Sequence, residues 1–379
     1  MPFARNYGNV ICKKRGYVVS KFWSAMVNQT EPYVPGEQLE REGLIKLNTN
    51  ENPYPPSPNV TKAITREMEQ KLQLYPSPTV DTVREKIAEQ HQLMKENVFV
   101  GNGSDEVLAF AFMAFFDQGQ AIRFPAITYS FYPVYAKLFG IPYKQIPLDR
   151  EFTINPEDYF QSEGGVIFPN PNAPTGIYLE LESVIDVVKH NPDRVVIVDE
   201  AYIDFAGESA AGLVRTYDNL LVVQTMSKSR SLAGLRVGFA LGSEPLIEGL
   251  DRIKNSFNSY TVDRLAIAGA EATLDDKDYF SRRVQQIMES RDWVTECMKQ
   301  HGFTVLPSQA NFIFVCHYKL PAKRLYEQLK LHDVLVRHFN KPEIANYLRI
   351  TIGTDKEMHT FFEKLDLVME ELAGESVQV

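Results

Sequence analysis

The chain has 379 residues, more than a typical single domain, which predicts one large domain and one smaller domain. Its hydrophobic fraction of 44% and charged fraction of 23% are those of an ordinary globular protein. The formal net charge of −9 argues against a generic nucleic-acid-binding protein, because a polyanion needs a basic surface. A small anionic substrate held by one or two arginines is still compatible with this charge.

The N-terminal residues and the cysteines give further expectations. Residues 1–19 contain basic side chains without a following apolar run, so they make a poor signal peptide and are predicted to be a flexible extension. The longest apolar stretch, residues 109–116, is too short to cross a bilayer. Cys12, Cys297 and Cys316 are odd in number and widely separated, which indicates neither a disulfide framework nor a metal site. We therefore expect a cytoplasmic protein without membrane or nucleic-acid partners.

From residue 97 onward, short apolar runs alternate with amphipathic segments. Strands rich in β-branched residues are predicted at residues 97–101, 121–124, 166–168, 195–199, 221–225 and 237–241. Helices are predicted between them at residues 105–116, 129–138, 179–190 and 245–256. This alternation predicts an α/β fold with a mostly parallel central sheet between helices. Such sheets bind ligands beyond the carboxyl ends of their strands.

After residue 266 the pattern predicts a smaller α+β domain. It contains a long helix at residues 278–301, strands at 311–316 and 347–352, and a final helix at 355–372. The predicted organisation is a flexible extension (1–19), an N-terminal segment that packs with the small domain (20–44), a large domain (45–270) and a small domain (271–379).

Polar side chains lie at the ends of three predicted strands. Asp199 and Tyr202 follow one strand, Lys228 follows the next, and Arg236 precedes the third. Each alone has a simpler interpretation: a helix cap for Asp199, a solvated loop residue for Lys228, and a surface ion pair for Arg236. Together they match the needs of pyridoxal phosphate (PLP), which are a carboxylate for the pyridine nitrogen, a lysine amine that binds the cofactor and moves protons, and donors for the phosphate.

Several blocks of the sequence resemble a known family. These blocks are EPYVPGEQ, LNTNENPYPPSP, YPSP, VGNGSDEV, FPAITYSFYP, FPNPNAPTG, VVIVDEAYIDF, QTMSKSRSLAGLRVGFALG and YLRITIGT. The DEAY and SKS blocks are typical of the fold-type I aminotransferases, which use PLP. The combination with EPYVPGEQ and LNTNENPYPPSP is similar to the histidinol-phosphate aminotransferase branch. The resemblance extends from residue 21 to the C-terminal helix, and it implies the PLP-dependent transferase fold of type I.

The resemblance implies a role for each matching residue. Lys228 resembles the lysine that binds PLP as a Schiff base, Asp199 the partner of the pyridine nitrogen, and Tyr202 the phenol at the 3′-oxygen. The remaining implied cofactor contacts are Gly103, Ser104, Asp105, Tyr129, Thr225, Ser227 and Arg236, with Tyr75 reaching the PLP phosphate of a neighbouring subunit in a homodimer. Ser104 and Asp105 are also candidates for a plain helix cap, and Tyr129 for a core aromatic.

One block departs from the family pattern. The family commonly has Asn-Asn-Pro-Thr-Gly, whereas this chain has Asn172–Ala173–Pro174 in the corresponding place. The asparagine before the proline, which contacts the 3′-oxygen in the family, is therefore alanine here. Asn172 is the candidate replacement, if the loop shifts slightly.

The substrate contacts implied by the resemblance are Arg349, Arg337, Tyr33 and Asn50. Arg349 resembles the arginine that binds the carboxylate of glutamate, and Arg337 a second arginine for the phosphate of histidinol phosphate. The simpler interpretations are a surface residue for Arg337 and a tyrosine packed between prolines for Tyr33. The implied reaction is reversible amino transfer between L-histidinol phosphate and 2-oxoglutarate, which gives imidazole-acetol phosphate and L-glutamate in histidine biosynthesis.

Two other activities fit the same blocks. An aromatic or broad-specificity aminotransferase differs only in a few pocket residues, and a threonine-phosphate decarboxylase is a PLP-dependent lyase with similar motifs. An NAD-dependent enzyme is excluded, because no GxGxxG follows a predicted strand.

Overall fold

The computed structural model describes residues 20–33, 35–39 and 41–375, so the predicted extension at residues 1–19 lies outside the described part. The helices in the described residues are α1 (Ala25–Gln29), α2 (Pro58–Gln70), α3 (Asp81–His91), α4 (Gly103–Phe115), α5 (Phe131–Phe139), α6 (Leu181–Lys189), α7 (Glu244–Phe257), α8 (Arg264–Asp275), α9 (Lys277–Gln300), α10 (Ala322–Leu331) and α11 (Asp355–Glu375). None of these helices is long and apolar enough to cross a membrane.

The strands form a large central sheet, a small sheet and a short pair. They are β1 (Ile45–Lys46), β2 (Val98–Asn102), β3 (Ile122–Pro125), β4 (Tyr143–Ile146), β5 (Val166–Pro169), β6 (Val196–Asp199), β7 (Leu220–Thr225), β8 (Val237–Gly242), β9 (Phe303–Val305), β10 (Phe312–His317), β11 (Val334–Leu335), β12 (Arg337–His338) and β13 (Leu348–Thr351). The central sheet has the order β2-β8-β7-β6-β5-β3-β4, and β8 runs opposite to its neighbours. The mostly parallel sheet between helices confirms the predicted fold class.

The central sheet is covered on both faces. Val196 and Val198 pack in the core cluster on one face, whereas Ile197 packs in the cluster on the other face. This alternation explains why the strand sequences are apolar at nearly every residue. The strand β4 was not predicted, because its sequence YKQI is polar and it lies at the sheet edge with partly exposed side chains.

The small sheet is antiparallel, with the order β12-β13-β10-β9, and it packs with α9 and α11 around a separate core. The short strand β1 pairs in parallel with β11, with Ile45 opposite Val334. Ile45 and Leu47 are also part of the core of the small sheet. Residues just after the predicted boundary at residue 44 therefore pack with the C-terminal part of the chain.

Candidate active site

A cavity lies at the carboxyl edge of the central sheet, where parallel sheets bind ligands. Because β6 and β7 are parallel, Asp199 at the end of one and Thr225 at the end of the other lie at the same edge. The residues that line this inner cavity are Ser104, Asp105, Tyr129, Pro169, Ala173, Asp199, Ala201, Tyr202, Thr225, Ser227, Lys228 and Arg236. Most of the residues predicted as cofactor contacts are thus brought together in one place.

Lys228 follows β7 and brings a primary amine into the inner cavity. Its Nζ donates a hydrogen bond to the Thr49 carbonyl oxygen at 3.2 Å and lies 5.9 Å from the centre of the Tyr202 ring. Loss of hydration is the main cause that lowers the pKa of Lys228 to about 8, and the positive charge of Arg349 adds to it. At neutral pH a minor fraction of this amine, far larger than for an ordinary lysine, is therefore unprotonated and can act as a nucleophile or base.

Asp199 is buried at the end of β6. Its Oδ2 accepts a hydrogen bond from the Tyr132 hydroxyl at 2.8 Å. Among the described residues, its Oδ1 has no hydrogen-bond partner of good geometry. The Ala201 amide lowers the pKa of Asp199, but its effect is the smallest of the causes. Burial dominates and raises the pKa of Asp199 to about 6. A buried carboxylate oxygen without a partner is costly, so it indicates a place for a protonated ligand group.

Tyr202 and Asn50 connect the two sheets. The Asn50 side-chain amide donates to the Tyr202 hydroxyl oxygen at 2.9 Å. The Asn50 backbone amide donates to Thr351 Oγ1 at 3.0 Å, and Thr351 Oγ1 donates back to Asn50 Oδ1 at 3.1 Å. Asn50 has a left-handed backbone, with φ of 55°, which asparagine tolerates better than most residues. The predicted substrate residue Asn50 therefore contacts the predicted cofactor residue Tyr202 directly.

One end of the inner cavity contains hydrogen-bond donors that suit an anion. Helix α4 begins at Gly103, and no side chain caps its first amides, so these N–H groups are open to a ligand. Ser104 and Asp105 therefore do not act as the N-cap. Gly103 has φ of +80°, and a Cβ atom there would lie 2.6 Å from Arg236 Nη2. Only glycine permits this close approach of the guanidinium group to the helix start.

Arg236 is held at this end by three contacts, one of which is the Ala233 carbonyl oxygen, 3.4 Å from Nη1. Its Nη2 pairs with Asp105 Oδ2 at 3.1 Å, and its Nη1 donates to Ser227 Oγ at 3.4 Å. The hydroxyl of Thr225 donates to the same Ser227 oxygen at 3.0 Å. Hydroxyl, amide and guanidinium donors thus converge, which is the donor set that a phosphate group prefers. With the free Asp199 oxygen at the sheet edge, the residues present fit a phosphorylated, protonated heterocycle.

Tyr129 lies in the inner cavity, and its hydroxyl donates to Asp105 Oδ1 at 2.6 Å. It precedes α5, which begins at Phe131, so it is a loop residue and not the core aromatic on a helix face of the alternative interpretation.

Asn172 does not lie where it was predicted. Its amide donates to the carbonyl oxygen of Ile127 at 3.0 Å, and Ala173 lines the inner cavity in its place. In the described structure, Asn172 therefore does not line the inner cavity.

The two predicted substrate arginines lie side by side. Arg337 on β12 is the register partner of Arg349 on β13, and both guanidinium groups lie 5.7 Å from the centre of the Phe339 ring. Neither has a carboxylate partner among the residues that the structure describes. Arg349 Nη2 donates to the Asn48 carbonyl oxygen at 3.0 Å, and burial lowers the pKa of Arg349. Two adjacent cations without a carboxylate partner indicate an anionic ligand.

A second cavity, the outer cavity, adjoins the inner one at Tyr129. It is lined by Tyr33, Tyr129, Arg337, Phe339 and Lys341, among others. The ring of Tyr33 stacks on Phe131 at 4.3 Å, so Tyr33 lines the outer cavity and does not pack only between prolines. Arg337 likewise lines a cavity and is not a plain surface residue.

Tyr75 does not line either cavity. Its side chain is 80% exposed and stacks on Tyr260 at 4.8 Å. This location is compatible with the predicted role in a neighbouring subunit, which stays a prediction.

The sequence analysis missed two residues, Tyr132 and Asn52, that form hydrogen bonds to Asp199 and to the backbone of Lys228. Tyr132 was not predicted as a site residue, because an aromatic residue in an apolar helix is typical of a hydrophobic core. Asn52 donates to the carbonyl oxygens of Lys228 and Ser229 at 3.1 and 3.0 Å, and so fixes the backbone of the lysine. The asparagine-rich LNTNENP block was the only signal for it.

Comparison with known proteins places the chain in a family. The aminotransferase class I and II family matches residues 42–365. The chain is 57% identical to histidinol-phosphate aminotransferase 1 of Oceanobacillus iheyensis over 352 residues, which cover 93% of this chain and 99% of the relative. It is 53% identical to histidinol-phosphate aminotransferase of Clostridium acetobutylicum over 347 residues, which cover 92% of this chain and 99% of the relative.

A solved structure supports the fold. The crystal structure of histidinol-phosphate aminotransferase from Sinorhizobium meliloti in complex with pyridoxal-5′-phosphate aligns with a TM-score of 0.85 at 22% identity, and covers 93% of this chain and 99% of that chain. At that identity the likeness supports the fold alone, whereas the sequence matches define the family. The chain therefore belongs to the aminotransferase class I and II family and, within it, to the histidinol-phosphate aminotransferases.

Proposed function

We propose that the chain uses PLP to transfer the amino group reversibly between L-histidinol phosphate and 2-oxoglutarate, in the cytoplasm, as a step of histidine biosynthesis. The observation that carries the proposal is the inner cavity, where the Lys228 amine, the unpartnered Asp199 oxygen and the open N-terminus of α4 face one another. The family membership supports the same reaction.

The proposed roles follow from the contacts of each residue. When bound, PLP supplies an electron sink for the bond that breaks at the substrate Cα. Asp199 Oδ1 holds a proton on the ring nitrogen, because an ionised carboxylate at that atom favours the charged form of the ring. Arg236, Ser227 and the first amides of α4 bind the phosphate. Tyr202, oriented by Asn50, donates to the 3′-oxygen.

Lys228 is the proposed proton carrier. With PLP bound, its Nζ would accept the proton from the substrate Cα and would carry it to the neighbouring cofactor carbon. A pKa near 8 suits this role, because the amine can both accept and release a proton near neutral pH. Tyr33, which lines the outer cavity and is held there by its stack on Phe131, helps to exclude water from the reacting carbon.

The chain is proposed to act as a homodimer in which Tyr75 completes the phosphate contacts of the neighbouring subunit. Tyr260, which stacks on Tyr75, is also exposed, as are Met68, Leu72 and Leu74 shortly before Tyr75 in the sequence, and a monomer would leave these apolar side chains in water. We also propose that residues 45–270 form the large domain and residues 271–379 form the small domain. Sedimentation as a monomer at working concentration would contradict the dimer.

A half-reaction experiment tests the proposed function. Adding L-histidinol phosphate without a keto acid to PLP-loaded protein should remove the visible absorbance of lysine-bound PLP, and 2-oxoglutarate should restore it. A response to phenylalanine or tyrosine but not to histidinol phosphate would favour the aromatic aminotransferase. Release of carbon dioxide from threonine phosphate would favour the decarboxylase. Protein that binds no PLP would contradict all three.

The two arginines should separate the two substrates. Arg337→Gln is expected to raise KM for histidinol phosphate roughly tenfold to a hundredfold, because a hydrogen bond to a charged group contributes roughly 1.5–3 kcal/mol. The half-reaction with glutamate should change less than about threefold, since Arg349 remains to bind its carboxylate. Half-reaction kinetics with each donor give both values, with Arg252→Gln, on the exposed side of α7, as the control. Equal losses for both donors would contradict this division of roles.

A further inference from the structure

A buried phenol that does not line the inner cavity contacts the Asp199 carboxylate. Tyr132, in the first turn of α5, is fully buried, and its ring packs against Phe112 and Phe124. Its hydroxyl donates to Asp199 Oδ2 at 2.8 Å. Tyr132 does not line the inner cavity, whereas Asp199 does, so the tyrosine reaches the cavity only through the carboxylate.

The two oxygens of Asp199 therefore have different surroundings. Oδ2 is bound by Tyr132, and Oδ1 has no hydrogen-bond partner of good geometry in the described residues. Burial alone would drive this carboxyl group to its neutral form, which would have little attraction for a protonated ring nitrogen. A hydrogen bond donated to the ionised form opposes that effect, and it also fixes the rotation of the carboxylate.

We propose that Tyr132 is a positioning residue that keeps Asp199 ionised and turns its free Oδ1 toward the ring nitrogen of the cofactor. The inference rests on the proposed function, because it needs a protonated PLP ring at Asp199. Tyr132 itself touches neither cofactor nor substrate. Only the Tyr132 hydroxyl contacts Asp199. The effect of Tyr132 on the carboxylate can therefore be separated from the packing of the Tyr132 ring.

The test is binding of pyridoxamine phosphate to the full chain and to Tyr132→Phe. Pyridoxamine phosphate has the same ring and phosphate as PLP but no aldehyde, so covalent bonding to Lys228 does not enter the measurement. Tyr132→Phe removes one oxygen and keeps the ring in the core. We expect binding to weaken roughly tenfold, because a hydrogen bond to an ionised group is lost. Tyr135→Phe is the matched control, since this buried phenol on the same helix donates to the Asp105 backbone oxygen.

The pH dependence distinguishes this role from packing. The pKa of Asp199 is raised to about 6, mainly by burial, and the Tyr132 bond lowers it. Below that pH the carboxylate gains a proton, so affinity for the protonated ring should fall. Tyr132→Phe should move this fall to higher pH, while Tyr135→Phe should not. The charged or titratable groups that face Asp199 are Asp105 on α4, Tyr129, Tyr132 and Tyr135 on or before α5, Tyr202 after β6, and Lys228 and Arg236 in the cavity wall.

A double-mutant cycle completes the test. In the Asp199→Asn background, Tyr132→Phe should cause no further loss of affinity, because no ionised group remains for the phenol to stabilise. An equal loss in that background would overturn the inference, and so would unchanged affinity and pH dependence in Tyr132→Phe alone. Failure of the unsubstituted chain to bind pyridoxamine phosphate would instead overturn the proposed function, so the two failures are distinguishable.

Discussion

Lys228→Ala is expected to lower the rate of amino transfer by about 10⁴-fold, the largest effect of any single substitution in the site. The amine at this place both bonds the cofactor and moves the proton from the substrate Cα, and general acid–base catalysis alone contributes up to about 10⁴-fold. Among the residues that the structure describes, no other lysine lines the inner cavity to take over. The measurement is single-turnover conversion of histidinol phosphate with added PLP, together with the loss of the visible absorbance of lysine-bound PLP.

Lys228→Arg is the matched variant for this prediction. It keeps a positive charge and a long side chain, but a guanidinium group has a pKa above about 12 and neither bonds a carbonyl carbon nor accepts a proton at neutral pH. Lys228→Arg should therefore be as inactive as Lys228→Ala. Activity retained in Lys228→Arg would mean that only the charge matters, and the proposed proton transfer would be wrong.

Asp199→Asn should lower the rate of the half-reaction by roughly 10²–10³-fold, the usual cost of removing one preorganised electrostatic contact. Asparagine keeps the shape of the side chain, but it cannot stabilise a proton on the ring nitrogen, so the ring becomes a weaker electron sink. Lys228 is unchanged, so the visible absorbance of lysine-bound PLP should still form at sufficient PLP. Rapid-mixing kinetics with histidinol phosphate measure the rate at saturating cofactor.

Glu200→Gln is the matched control for Asp199→Asn. Glu200 is the next residue in the chain and is also buried, and burial raises its pKa to about 7. Its carboxyl group does not line the inner cavity and instead accepts hydrogen bonds from Ser209, Gln224 and the Ala210 amide. Neutralising it should change the rate only a few-fold. If both variants lose activity equally, general destabilisation of the β6 end explains the loss, and the specific role of Asp199 is wrong.

The positions of most central strands along the chain and the residues at their ends were largely predictable from the sequence. Apolar runs such as residues 195–199 and 221–225 predicted strands, and parallel strands must end at the same edge, so Asp199 and Lys228 were expected to be neighbours. The structure brings them into one cavity. The PLP-related roles drawn from the resemblance, above all that of Tyr75, depend on a ligand or a second subunit and stay predictions.

Other features depend on tertiary context and left no local signal. Strand β4 has a polar sequence, and only its pairing with β3 makes it a strand. Tyr132 has the pattern of a core residue, and its hydrogen bond to Asp199 depends on how α5 packs on the sheet. For Asn172, the amide bond to Ile127 arises from loop packing that the residue type alone does not reveal.

The hydrogen bonds of Asn50 have a consequence for how the protein is made. Asn50 bonds Tyr202, 152 residues further along the chain, and Thr351, 301 residues further along. Domains usually fold from the N-terminal side during synthesis. The contacts that position Tyr202 through Asn50 are therefore complete only after Thr351, 301 residues beyond Asn50, has been translated.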